Sequence, residues 1–430
     1  MNINLNQRVS DNSILFLSLF IIILILSPIL TIFFENINQK SDYLNFFSSG
    51  EFRSYTMNSV VILIGVLLLT LFLGGVSAYL VSFYEFVGVN FFKYSLLMSF
   101  AIPPYIYAYT LSAFFENFGI AYSLVSFFSE DLSKTLIPKI EPLSGSIISL
   151  SLTLFGYVFI LTRSTFLNQS RDLIEVGKSL GFNNIDTFLK IIIPTARPAI
   201  FIGLSLVAME TLSDFGTVSF FGVSTYTTGI YNSWFIFDDL KTANFLSLFL
   251  IFFILFFFGL ESISRKNIKF FNSNNSFNKK NKKVILSGYK GFFAFFFCFF
   301  LFSTSFLFPL VLMLKWSLMN SGYLDLNQIL QLNYNSIKLI FLSSIFIILT
   351  SLIVTFSGRV LKSKILSFFS SLSISGYAMP GIVVSVSVIS LFSLIDSFLD
   401  MNLRGYFIGS IYGLIFGYSV RFYSISFNTI

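Results

Sequence analysis

Asp172–Pro198, DLIEVGKSLGFNNIDTFLKIIIPTARP, is a polar interval set between two apolar runs of membrane length. Leu173, Val176 and Leu180 recur at i, i+3 and i+7, the spacing of one helical face. Gly181 adopts positive φ at no steric cost and so ends that helix, and Asn183 and Asn184 prolong the turn. Asn184 is expected to cap a second short helix, with Ile185, Phe188, Leu189 and Ile192 on its apolar face and Pro194 as its stop. Two short amphipathic helices on one side of a bilayer make a docking surface.

Within this stretch Glu175-Val176-Gly177, three residues, Gly181, nine residues, Ile191, one residue and Ile193-Pro194 resemble the EAA loop of binding-protein-dependent ABC importer permeases. That family pattern is Glu-Ala-Ala, x3, Gly, x9, Ile-x-Leu-Pro. Glu175, Gly181, Ile191 and Pro194 match at every spacing, and Val176, Gly177 and Ile193 depart mildly from it. The resemblance implies that the loop seats in a groove of a cytoplasmic ATPase. An ordinary amphipathic loop would show the helical period but not four fixed positions.

Composition narrows the class independently. The chain is 55% hydrophobic and only 11% charged, with 60 phenylalanines, and no soluble core of this size hides that much apolar surface. It is read as an all-α polytopic membrane protein in the lipid bilayer. Histidine is absent and Cys298 is the one cysteine, which excludes internal disulfides, His/Cys metal sites and Cys–His dyads. The net charge of +7 is distributed as in a membrane protein and implies no nucleic-acid partner.

In order, apolar spans are expected at about Ile14–Phe34, Met57–Phe83, Ser95–Phe114, Ser146–Leu167, Ala199–Phe221 and Ala243–Ile263, each near the ~20 residues that cross the hydrocarbon. The third carries Pro103-Pro104, whose freed carbonyls need neighbouring helices or a water-filled cavity. Ser264–Lys290 then breaks the pattern with Arg265, Lys266, Lys269, Lys279, Lys280, Lys282, Lys283 and Lys290 and no acid, the composition of a solvated cytoplasmic linker. Spans resume at about Gly291–Leu314, Ser336–Phe356, Ile365–Leu394 and Tyr406–Tyr423. A cytoplasmic N-terminus puts most Lys and Arg, including the linker and the Asp172–Pro198 loop, on the inner side, as the positive-inside rule requires.

The chain repeats itself. Asn58-Ser59 and Asn335-Ser336, and likewise Pro103 and Pro380, stand 277 positions apart; Gly156-Tyr157 and Gly417-Tyr418 stand 261 apart. Residues 1–263 read as a first transmembrane domain of six spans with its loop at 172–198, 264–290 as the linker, and 291–430 as an incomplete second copy of four spans. The counterpart of Glu175 would fall at position 436, past Ile430, so the expectation is a C-terminal truncation of a chain of about 524 residues.

A second stretch, Glu210–Phe235, narrows the resemblance. Asp214-Phe215-Gly216-Thr217-Val218, Phe221-Gly222-Val223, Thr227-Thr228-Gly229-Ile230-Tyr231 and Trp234-Phe235 are similar to the fused ferric-iron permeases of the ABC importers. Fused thiamine permeases share that architecture and stay open as an alternative, as does a secondary transporter. Glu210 and Asp214, at i and i+4 of the expected fifth span, would share a face in its outer half and form a gate or line a pathway with Pro103, Pro104 and Pro380. No phosphate loop occurs: Gly177-Lys178-Ser179 has the tail of one, but Asp172 stands where its first glycine belongs. The resemblance therefore implies a non-enzymatic subunit of the bacterial inner membrane, without cofactor, metal site or catalytic residue of its own. ATP and Mg would be held by a pair of cytoplasmic ABC ATPase subunits, and ferric iron would be delivered by a periplasmic binding protein.

Overall fold

Long apolar runs in hydrocarbon must satisfy every peptide group internally, and a helix does this within one segment. The computed structural model describes residues 2–37, 49–116, 119–130, 137, 139–168, 177, 179–266, 283–319, 322, 325–373, 376 and 379–430, and these are almost wholly helical. In chain order they form α1 (Asn2–Ile37), α2 (Gly50–Phe83), the two-residue strand β1 (Tyr84–Glu85), α3 (Val89–Ser95) running into a 3-10 segment (Leu96–Ala101), α4 (Pro104–Phe115), α5 (Ile120–Ser126) and α6 (Pro142–Asn168). There follow α7 (Asn184–Thr187), a π-helical segment (Phe188–Ile192), α8 (Ile193–Ser213), α9 (Gly216–Phe220), α10 (Tyr226–Tyr231) and α11 (Leu240–Lys266). After β2 (Val284–Ile285) come α12 (Tyr289–Phe302), a second π segment (Ser303–Leu307), α13 (Phe308–Met319), α14 (Leu326–Leu361), α15 (Lys364–Ser373), α16 (Gly381–Leu399), α17 (Leu403–Phe407) and α18 (Ile411–Thr429).

Among the described residues eight helices are long and apolar enough to cross a membrane, against ten expected spans. The expected third span is broken: the chain leaves helical geometry at Ile102 and Pro103, and Pro104 opens α4. Proline lacks the N–H and restricts the residue before it to extended geometry, so a Pro-Pro pair ends one helix and starts the next. The ninth breaks likewise, with Pro380 (φ −57°, ψ 144°) standing before α16 as Pro103 (φ −58°, ψ 141°) stands before α4. The tenth splits into α17 and α18 around Gly409, whose φ is +79°. Most of the expected linker lies outside the described residues. Tyr84 and Glu85 pair in parallel with Val284 and Ile285, and Lys283 donates to the Val81 carbonyl at the end of α2.

The described residues divide into two compact units, and neither is a sequence half. One comprises Met1–Arg53, Gly229–Ile254 and Gly322–Ile430; there α1 packs on α14, α15 and α16, and α14 on α18. Its core joins Ile22, Ile25 and Leu26 to Val354, Leu366 and Tyr423. Small polar groups bind its helices: Ser18 donates to Ser357 at 2.6 Å, and Asn244 donates to Ser390 at 2.9 Å. The other unit comprises Ser54–Thr228 and Leu255–Ser321, with α8 packed along α6, and α12–α13 against α3, the 3-10 segment and α4. Glycine permits close approach there. A Cβ on Gly74 of α2 would fall 2.7 Å from the Phe155 carbonyl oxygen of α6. The helix that leads each sequence half is thus packed among helices of the other half.

Candidate functional site

The loop motif builds a turn whose geometry is set by glycine. Glu175 and Val176 lie outside the described residues. Gly177 is buried, and a Cβ there would sit 2.5 Å from the Thr187 hydroxyl, so no larger residue fits without displacing the next helix. Gly181 has φ +76°, and the Phe182 N–H donates to the Gly177 carbonyl at 2.9 Å. This six-to-one bond over a left-handed glycine is a Schellman closure, which satisfies a carbonyl that the helix end leaves open.

Two details of the second helix differ from the sequence expectation. Its cap is Asn183, one residue earlier than Asn184: the Asn183 side-chain oxygen accepts from the Asp186 N–H at 2.7 Å. Pro194 does not stop it. The chain widens into the π segment, in which the Ile193 N–H reaches back to Phe188, and Pro194 then lies in the first turn of α8. The wider turn accommodates the proline ring, and the Thr195 hydroxyl donates to the Ile191 carbonyl at 2.9 Å. From Asn184 to Ser213 the backbone is therefore one continuous helical rod, with Ile191 and Pro194 half-buried along it.

Phe188 fastens the turn end of this rod. Its ring lies 4.3 Å from that of Tyr79 on α2, which also meets Phe83 and Phe166. Asp186 and Lys190 form an exposed ion pair at 2.9 Å. Leu189, expected on the packed face, is 55% exposed, and Leu180 is 61% exposed. The turn therefore presents two apolar side chains beside a charged pair.

The other end of the rod carries a second constellation. The expected fifth span does not reach Phe221; α8 ends at Ser213, and Asp214 is extended (φ −70°, ψ 127°). Glu210 and Asp214 consequently do not share a helical face. Glu210 sits half-buried in the last turn of α8, while Asp214 caps α9, accepting from the Thr217 N–H at 3.0 Å, the Thr217 hydroxyl at 3.0 Å and the Val218 N–H at 3.2 Å. Its own carbonyl accepts from the Thr227 hydroxyl at 2.7 Å. The following turn, left-handed at Gly222, is tied to α2: Asn58 donates to the Ser224 carbonyl at 2.9 Å, the Tyr226 N–H to Ser59 at 3.2 Å, and Thr56 bonds the Tyr226 hydroxyl at 2.9 Å. Thr56 and Thr227 were not singled out from sequence. Asn58-Ser59 stood out only as a mark of repetition, and that was the available signal. Pro103, Pro104 and Pro380 mark the two helix breaks and take no part in this latch.

Among the described residues no group of three His, Cys, Asp or Glu side chains is placed to hold a metal ion. The Gly181 turn, the rod and the polar latch at Asp214 thus belong to one stretch of an all-α polytopic membrane protein. No family model matches the chain. It is similar to an Fe(3+)-transport system permease protein of Haemophilus influenzae, 25% identical over 338 residues, 77% of this chain and 62% of that protein. It is also similar to a probable sulfate transport system permease protein of Chlorella vulgaris, 26% over 145 residues, 34% of this chain and 52% of the relative. A diacetylchitobiose uptake system permease protein of Streptomyces coelicolor is 22% identical over 168 residues, 39% of this chain and 48% of the relative. The chain thus spans 62% of the first relative's length and about half of the other two. These relatives bear out the resemblance to ABC importer permeases that the loop carried.

Proposed function

We propose that the chain is the membrane permease of an ATP-driven importer of ferric iron. The observation that carries this reading is the continuous rod from the Gly181 turn to the Asp214 latch, built from the two stretches whose residues resemble importer permeases. The Fe(3+) in the first relative's name supports the cargo, as does the match of Asp214–Phe235 to ferric permeases. The excess of Lys and Arg supports a turn on the cytoplasmic side, in a bacterial inner membrane. There Leu180 and Leu189 seat against an ATPase subunit. The 21-residue α8, about 30 Å long at ~1.5 Å per residue, carries a displacement of the turn to the latch. ATP closure does work on the permease only through contacts that differ between the ATPase's two states. A periplasmic protein delivers the iron, and two copies of one transmembrane domain, broken alike at Pro103 and Pro380, rock about the path.

The test is uptake of radiolabelled Fe(III) by cells carrying the complete transport operon. Uptake should survive collapse of the ion gradients and stop when ATP is depleted. Loss with the gradient alone would make the chain a secondary transporter, and uptake of thiamine in place of iron would overturn the cargo.

A further inference from the structure

Between α16 and the α17–α18 stretch, within the unit that holds α1, lies a cavity of about 400 Å³ whose lining is mostly apolar, with Ser385, Ser410, Tyr418 and Arg421 as its polar side chains. Phe392, Trp234 and neighbouring aliphatic side chains form its walls. Gly409, Gly413 and Gly417 are among its lining residues, and a Cβ on Gly417 would meet nothing within 4 Å, so the space beside Gly417 is open. Among the described residues Arg421 is the cavity's one charged lining residue, and none of the lining residues is acidic.

Arg421 is placed where a cation has no reason to stay alone. Its Nη1 lies 3.0 Å from the position of a Cβ on Gly381, the first residue of α16. The guanidinium is thus held against a helix N-terminus, the positive end of the macrodipole, where Pro380 provides no side-chain cap. Its Nε is buried and has no acceptor among the described residues. The ring of Phe422, 5.5 Å away, faces the charge but offers no acceptor to the N–H. The nearby Ser385 and Ser410 hydroxyls donate to the Gly381 and Phe407 carbonyls, and neither accepts from the Arg421 Nε–H.

We propose that this cavity binds a small oxyanion or carboxylate anion, with Arg421 as a forked donor and the first-turn N–H groups of α16 completing the site. A guanidinium and an open helix N-terminus converging on one space are each selective for negative charge. The inference rests on the transport reading in one respect only. If the occupant is cargo, iron passes here inside an anionic chelate and not as the bare trivalent cation.

The full chain in nanodiscs of uncharged phosphatidylcholine is titrated calorimetrically with sodium sulfate, sodium citrate and ferric citrate, against sodium chloride at matched ionic strength. At least one of the three should bind saturably to the wild type. Arg421→Met should weaken that binding about tenfold or more, the loss of a charge-assisted pair. Gly417→Leu, which fills the space and keeps the arginine, should weaken it comparably at an unchanged melting temperature. Absence of saturable binding by all three probes overturns the proposal, and so does binding that survives either substitution. Anion binding without iron uptake would sink the transport reading and leave the site standing; uptake without anion binding would do the reverse.

Discussion

Replacing Asp214 with alanine should destabilise the latch by about 3 kcal/mol, because three donors lose one acceptor group. The carboxylate accepts from the Thr217 and Val218 N–H groups and from the Thr217 hydroxyl, at 3.0 to 3.2 Å. Loss of an N-terminal cap alone costs about 1 kcal/mol. Thr217 is 0% exposed and Val218 2%, so water does not replace the lost acceptor, and a buried unsatisfied donor costs ~1–3 kcal/mol. For a unit of this size ~3 kcal/mol corresponds to a melting temperature lower by about 6–12 °C. Cys298 provides the assay: it is the one cysteine, it is buried in the core of the same unit, and a thiol-reactive fluorophore reports its exposure on heating. Asp214→Asn keeps an acceptor oxygen and should lose under about 1 kcal/mol. Thr217→Val should be non-additive with Asp214→Ala, since both remove the same bond. An alanine variant that melts within 1 °C of the asparagine variant, or full additivity with Thr217→Val, would refute the latch as drawn.

Other consequences are as direct. Gly74→Ala should destabilise by about 1–3 kcal/mol, because the added methyl meets the Phe155 carbonyl at 2.7 Å, whereas Gly75→Ala, with nothing within 4 Å, should be neutral; equal melting temperatures for the pair would remove the close approach of α2 and α6. Gly181→Val should place a β-branched residue at φ +76°, cost about 1–3 kcal/mol locally and abolish ATP-coupled uptake while membrane insertion persists; normal uptake would detach the turn from coupling. Burial, with Lys93 and Arg163 adding to it against Glu85, lowers the Lys283 ammonium from 10.5 to about 8. Between those two values the unfolded chain binds the extra proton, so stability should rise with pH from about 8 upward, the penalty being fully present below that. Melting curves from pH 7.5 to pH 9.5 should carry this rise in wild type and lose it in Lys283→Met; parallel curves would contradict the burial of the ammonium.

The long helices were legible because their cause is local. A run such as Ile14–Phe34 has too little polarity to do anything in hydrocarbon but close its own hydrogen bonds. Pro103 and Pro380 were visible as membrane prolines at matched offsets, but not as helix breaks, since a proline within a span is compatible with a kink as well. The passage through Pro194 was hidden for a related reason. A π turn shifts the hydrogen-bond register by one, and its first residue, Phe188, packs on Tyr79, which is far away in sequence. The latch was half legible. Asp214 was singled out as an intramembrane acid, yet its partners lie on side chains and backbone that helical periodicity cannot bring together. The span Ile14–Phe34 is apolar on every side, so periodicity names neither the packed face of α1 nor the helices that cover it, and the packing of each leading helix among helices of the other half had no sequence signal.

That reciprocal packing governs the order in which the molecule can assemble. Synthesis of α2 through α9 supplies most of one unit, but the groove beside α3 and α4 stays open until α12 and α13 are made. Meanwhile α1, which meets α11 through Asn36 and Asn244, waits in the lipid for α14, α15 and α16. A nick between Lys266 and Lys283 would therefore not release two independent domains: each fragment would hold the piece that its counterpart needs, and the two would stay together as a clasp.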